Sequence, residues 1–303
     1  MKKGSFHYGG QAVIEGVMMR GPEEIATSVR RPSGAIETHI EYTRGGHAFY
    51  DRVPVLRGMA ALYESLYYGM RALLFSASSA GEEMTKREMA LTGAASLLAA
   101  AGFFFLLPTM AVHWMGALSG SPALQNLAEG LLRLVLFLSY LWGISRMDDI
   151  RRVFEYHGAE HKTIFCYEKG LPLTVENVRK QSRLHPRCGT NFLMIVMVLS
   201  IFVFAFLGWP GLLVRLASRL VLLPVIAGLA YEWLKFAADS ENPLVERLNR
   251  PGLYLELLTT REPHDDQIEV AMAALSAAAH IETAAPQEEH AASIIKEDHA
   301  YAG

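Results

Sequence analysis

Four stretches of this chain are each long and apolar enough to be read as membrane-spanning helices, which need about 20 predominantly apolar residues. They run from Leu91 to Leu118, from about Leu124 to Ile144, from Asn191 to Trp209, and from about Leu212 to Ala238. The third, NFLMIVMVLSIFVFAFLGW, contains no charged residue, whereas Glu129 and Arg133 interrupt the second. The alternative for each is a buried helix of a large soluble core, and composition argues against it. Apolar side chains make up 51% of the 303 residues and charged ones 19%, more apolar and less charged than an ordinary soluble domain. The expected fold is an all-α polytopic membrane protein of about four spans with a small α+β cytoplasmic portion, and its first partner is the lipid bilayer.

Basic residues are retained on the cytoplasmic side of a membrane. Residues 1–90 hold eleven Lys and Arg, 145–190 hold nine and 235–303 hold five, so 25 of 28 fall in three blocks. The connections SGSPA and WPG between paired spans hold none. Both termini and the central segment are therefore expected in the cytoplasm. Arg215 and Arg219 lie near the outer end of the fourth span, where a long side chain can reach the interface. MKKGSFHYGGQAV has two lysines but no apolar core behind them, so it does not read as a signal peptide. A net charge of −3 argues against nucleic-acid binding.

The chain thus divides into an N-terminal β-containing segment (1–54), an amphipathic interfacial helix (55–88), two spans (89–145), a central loop (146–190), two more spans (191–238), a C-terminal segment (239–275) and a mobile tail (276–303). In the first, GGQAVIEGVMMRG reads as one strand bounded by turns. IATSVRRPSGAIETHIEY reads as a hairpin about Pro32-Ser33-Gly34, giving two or three strands in all. The Ala-, Glu- and His-rich stretch after Ala271 offers little to bury.

The central loop carries the chemistry. In EYHGAEHKTIFCYEKG, His157 and His161 lie about 40° apart around a helix with Glu160 on the same side. H-x-x-E-H is the order in which inverzincin metallopeptidases hold zinc through two histidines and activate water through the glutamate. SRLHPRCGTNF adds His185 and Cys188, and four nitrogen and sulfur donors would complete a tetrahedral site. A competing reading makes His185-Pro186 a turn and the stretch after it a helix start capped by Thr190. The expected cofactor is a divalent metal, zinc by its donors, with His157, His161, His185 and Cys188 as ligands and Glu160 as catalytic base. If all four donors bind, the site is closed and structural; a catalytic site leaves a position for water. Cys166, alone in the same loop, reads as filler.

GGQAVIEGVMMRGP, EYHGAEHKTIFCYE, HPRCGTNFL and PGLYLELLTTREPHDDQIEVA together resemble the YqhQ-like family of bacterial membrane proteins, described as predicted metal-dependent enzymes. The resemblance reaches to about Leu275 and implies a polytopic protein of the bacterial inner membrane with a metal centre, but no substrate. Its pattern falls on Glu15, His157, Glu160, His161, His185, Cys188 and a Pro251-Gly252 turn. Outside the loop, Glu232 is placed to supply a downstream carboxylate ligand or to pair with Lys235, and Glu15 to pair with Arg20 or Arg44. No phosphate-binding loop, nucleophile elbow or redox C-x-x-C is present. The readings that remain are a metal-dependent hydrolase, a peptidase among the options, and a non-catalytic membrane scaffold or assembly factor with a structural metal. A transporter fits less well, since four helices would need a homo-oligomer or a membrane-protein partner to build a pathway.

Overall fold

The computed structural model describes residues 8–43, 49–81, 85–115, 121–238, 240 and 242–281. Four strands form one antiparallel sheet in chain order: β1 (Gly9–Val13), β2 (Gly16–Arg20), β3 (Glu24–Arg30) and β4 (Ile36–Tyr42). Ten α-helices follow among the described residues: α1 (Leu56–Ser79), α2 (Lys86–Ala101), α3 (Leu107–Trp114), α4 (Pro122–Ile144), α5 (Asp148–Glu168), α6 (Val175–Arg179), α7 (Gly189–Ala205), α8 (Leu212–Ala238), α9 (Pro243–Thr259) and α10 (Asp265–Ala278). A π-helical turn, Gly102–Leu106, joins α2 to α3 without a break.

The stretch read as one strand is a hairpin. Val13 pairs with Gly16, so Ile14 and Glu15 make a two-residue turn. Glu15 adopts a φ of 52°, a left-handed conformation that turn signals based on Gly, Asn and Pro do not mark. The hairpin about Pro32-Ser33-Gly34 forms as expected, with Gly34 at a φ of 89°. Alternation divides the sheet's side chains between two cores. Val17, Met19 and Ala26 pack on Tyr156 and Ala159 of α5 and on Ile268, Ala271 and Leu275 of α10. Met18, Ile25 and Val29 pack on Tyr68 and Ala72 of α1.

That arrangement corrects two expectations. Residues 146–168 are not a loop for most of their length but the 21-residue helix α5, started by Asp148 and Asp149 in its first turn. The supposed mobile tail begins inside α10, whose Ala271, Ala274, Leu275 and Ala278 are fully buried against the sheet. The rest of the stretch assigned to the tail, from 282 on, lies outside the described residues.

Beyond the sheet lies a bundle of α2–α3, α4, α7 and α8. Three helical stretches are long and apolar enough to cross a membrane: Leu91–Trp114, Pro122–Ile144 and Leu212–Ala238. The charge-free window gives a shorter helix than expected. It stops at Ala205, four residues early, with the chain turning away at Gly208 (φ 69°), so α7 has 17 residues and rises about 26 Å against an apolar core of about 30 Å. Large apolar side chains including Leu97, Phe206, Leu213 and Val221 stay exposed on the bundle, as they would facing lipid. The helix from 55 on is α1; it ends at Ser79 rather than 88, and its Gly58 crosses Gly228 of α8 so closely that a Cβ would come within 2.9 Å of the opposing Cα.

Pro251-Gly252 is not a turn. Both lie within α9, where Gly252 lets the helix press onto Asn191 of α7. Glu232 pairs with Arg57 rather than Lys235, accepting from its Nε at 2.6 Å, and is thereby tied to α1. Glu15 is held by neither proposed arginine: Arg152 forms a two-pronged pair with it, and Tyr156 donates to it at 3.2 Å. Arg20 pairs with Glu64, and Arg44 lies outside the described residues.

Candidate metal centre

Helix α5 packs on the sheet, and from it His157 reaches Cys188 at the start of α7 and the last residue of α9, His161 reaches the Arg183 carbonyl, and Glu160 reaches Gly10 of β1. The ligand-capable atoms of His157, His161 and Cys188 all lie within 4.8 Å of one another. His157 Nε2 is 3.2 Å from Cys188 Sγ, against about 3.6 Å for nitrogen and sulfur sharing a tetrahedral zinc. Cys188 is the N-cap of α7, accepting from the Thr190 backbone N–H, so Cys188 caps the helix where Thr190 had been expected to. The thiol is therefore fixed at the junction of the sheet-bearing part and the bundle.

The tautomers of both histidines follow from their partners. His157 Nδ1 lies 2.8 Å from the Thr259 carbonyl and His161 Nδ1 lies 2.6 Å from the Arg183 carbonyl. A carbonyl only accepts, so each Nδ1 carries the proton and each Nε2 presents a lone pair. Backbone-held Nδ1–H groups are the usual means of orienting metal-ligating imidazoles. Burial, with His157 close by, holds His161 uncharged well below the ordinary range. Burial also raises the Cys188 thiol, with Glu256 and Glu160 adding to the effect. A cation beside it reverses that balance, because a coordinated thiol is deprotonated.

His185 is oriented differently. Its Nδ1 accepts the Arg187 backbone N–H at 3.3 Å, which puts the proton on Nε2, 3.8 Å from Glu168. Its ring packs at 4.5 Å on Phe165 and 5.5 Å on His161. It stands beside the trio as a neighbour of His161, outside the group whose donor atoms converge.

Two buried carboxyls complete the surroundings. Burial raises Glu160 to about 7 and Glu256 to about 7. Glu160 takes a backbone hydrogen bond from Gly10 of β1, while its Oε2 has no protein partner. Glu256, on α9, accepts the His185 backbone N–H at 2.6 Å and lies 3.8 Å from His161 Nδ1, behind the imidazole rather than on its lone-pair side. The downstream carboxylate near the centre is thus Glu256 and not Glu232; its sequence signal is a lone acid in the apolar run LYLELL.

These residues open on a cavity of about 770 Å³ between the sheet and the bundle, lined by His157, Glu160, His161 and Cys188. Gln11, Arg20 and Arg187 add polar groups, and Met18, Ile25 and Leu193 apolar ones.

A family model for a protein of unknown function, DUF1385, matches residues 53–281. The uncharacterized protein YqhQ of Bacillus subtilis (strain 168) is 35% identical over 301 residues, covering 92% of this chain and 94% of the relative. The chain belongs to the DUF1385 family. No solved structure matches it. All the donors and carboxyls of the centre, from His157 to Glu256, lie within the span that the DUF1385 model covers. Neither match names an activity, so the family establishes kinship and leaves the chemistry to the residues.

Proposed function

We propose that this is an integral membrane protein carrying a metal-dependent hydrolase site at the junction of its cytoplasmic part and its membrane helices. One observation carries the reading: His157 brings its Nε2 to 3.2 Å from the Cys188 sulfur, and a ring nitrogen of His161 lies within 4.8 Å of both, on a cavity that Glu160 also lines.

The donor set fits a divalent ion of zinc's softness, held by His157, His161 and Cys188. When bound, such an ion supplies Lewis acidity to a water or a carbonyl oxygen. Glu160 lies outside the converging trio but lines the same cavity, and as the base it would take a proton from a water bound beside the centre. Gly10 holds its other side in place through a backbone N–H. Substrates with an amide or ester bond close to the membrane surface, peptides or lipids, suit a cavity with this mixed lining. A second reading, a structural metal in a scaffold protein, is favoured by the same trio linking α5 to the start of α7.

Metal dependence is tested by elemental analysis with complementation. Wild-type protein should hold about one ion per chain. The double variant His157→Ala, His161→Ala should hold almost none and melt earlier, since ligand free energy is also folding free energy. A metal-free double variant that fully rescues a deletion strain would sink a metal-dependent function.

Sidedness follows from the 25 basic residues confined to three blocks. A phosphatase reporter that works only outside the cytoplasm should be active when fused after Pro210 and silent when fused after Gly170. The reverse pattern would place the centre outside.

A further inference from the structure

Three arginines and one glutamate are buried together inside the apolar bundle, at the end away from the His/Cys centre. Helix α7 sets the distance: it begins at Cys188 and carries Phe204 against Arg133 and Arg219 at its other end, about 24 Å on. Arg215 and Arg219, expected to reach out to the interface, do not. Both are instead 2% exposed.

Two of the three pair with Glu129. Arg133 donates to Glu129 at 2.6 Å and to the Phe104 carbonyl at 2.9 Å, a carbonyl whose i+4 residue is Pro108 and so lacks an N–H. Arg219 pairs with the same Glu129 and donates to Asn126 at 2.8 Å and Thr109 at 3.1 Å. Arg215, one turn before Arg219, does not. Its guanidinium lies over the Trp209 ring at 3.8 Å, and its buried Nε and Nη1 have no hydrogen-bond partner. Among the described residues no carboxylate forms an ion pair with it. The cluster therefore carries two positive charges in excess, in surroundings where an uncompensated buried charge is costly.

We propose that Arg215, backed by Arg219 and Arg133, binds the phosphate of an anionic phospholipid headgroup. A planar guanidinium presents paired donors at the spacing of phosphate oxygens. Arg215 lies in the first turns of α8, at headgroup depth for a helix that crosses a bilayer, with Trp209 beneath it as an interfacial aromatic. Leu213 and Val214, which precede it on α8, and Phe206, just past the end of α7, are exposed and offer an apolar surface to acyl chains, which favours a lipid over a free anion. The phosphate would add negative charge and acceptors beside Arg215; the cluster's own carboxylate, Glu129, offsets one guanidinium of three and keeps a buried Oε2 without a hydrogen-bond partner.

Arg215→Met keeps the length of the stem and removes the charge, so it separates ligand binding from folding. Without lipid it should melt no lower than wild type, because replacing an uncompensated buried charge by an apolar group is neutral or stabilising. Protein in a maltoside detergent is titrated with dioleoylphosphatidylglycerol, with dioleoylglycerol as a phosphate-free control, and with sodium phosphate against sodium chloride at equal ionic strength. Melting temperature and lipid retention by native mass spectrometry are read. Phosphatidylglycerol should stabilise wild type and stay bound, dioleoylglycerol should do neither, and Arg215→Met should retain about tenfold less lipid, the loss of one charge-assisted contact. Stabilisation by sodium phosphate alone would overturn the lipid assignment in favour of the free anion. Equal retention by wild type and Arg215→Met would overturn the site. Should Arg215→Met not fold, Arg215→Gln decides: it keeps a polar side chain without the charge, and wild-type retention would likewise overturn the site.

Discussion

Glu160→Gln is expected to keep its metal and its fold and to lose function by about 10²–10⁴-fold, the usual contribution of a positioned general base. The side chain is nearly isosteric, and its carbonyl oxygen can still accept from the Gly10 N–H. What it loses is the second oxygen, the one without a protein partner, and with it any capacity to take a proton. An amide NH₂ buried there costs about 1–3 kcal/mol if unmatched, so a small fall in melting temperature accompanies the change. Because Glu160 is not among the three converging donors, metal content should stay at the wild-type value. A structural centre predicts otherwise: Glu160→Gln then leaves cellular function intact, and Cys188→Ser does the larger damage by removing the thiolate. Deletion-strain rescue and metal content, measured on the same variants, separate the two. Full rescue by metal-loaded Glu160→Gln would defeat the hydrolase reading.

How far the sequence reaches toward this centre depends on the range of each constraint. His157 and His161 are one helical turn apart, so their convergence is local and their spacing discloses it. Cys188 is 27 residues beyond His161, yet it opens an apolar helix whose start is visible in the sequence, and its residue type marked it. Glu256 is different. Nothing local sets it apart from Glu232, and the choice between them is made by packing: Gly252 brings α9 onto α7, while Arg57 draws Glu232 to α1. His185 has the right chemistry and a nearby position, but it stands outside the group whose donor atoms converge, with the Arg187 backbone N–H on its Nδ1. Helix α10 was hidden for a related reason. Half of the buried apolar residues it puts on the sheet are alanines, which read as weakly hydrophobic until a sheet lies close enough to need small side chains. The arginine cluster was legible as charges in apolar runs, but whether those charges turn inward or outward is decided between helices.

Gly158→Ala should unmake the centre without touching a ligand. In an exposed helix interior this change would stabilise by about 1 kcal/mol, since glycine carries that penalty against alanine. Here the sign reverses. A Cβ on Gly158 would overlap the Arg261 carbonyl oxygen and come within 3.4 Å of Pro263 Cδ, and the nearest obstacle is backbone, which cannot rotate aside. The segment after α9 is tied to α5 at this point, with the Arg261 N–H donating to the Phe154 carbonyl at 2.8 Å. Pushing it away moves the Thr259 carbonyl that holds His157 Nδ1. Overpacking of this kind costs about 1–3 kcal/mol, and loss of the group that orients a metal-ligating histidine lowers affinity about 10–100-fold. Gly143→Ala is the control: it lies in α4, and a Cβ there meets nothing within 4 Å. Melting curves and competition for zinc against a chelator of known affinity, run on both variants, should show the first weakened on both counts and the second unchanged or improved. A Gly158→Ala protein with wild-type zinc affinity would show that His157 does not depend on the Thr259 carbonyl for its orientation, and would remove the tautomer argument from the case for a metal.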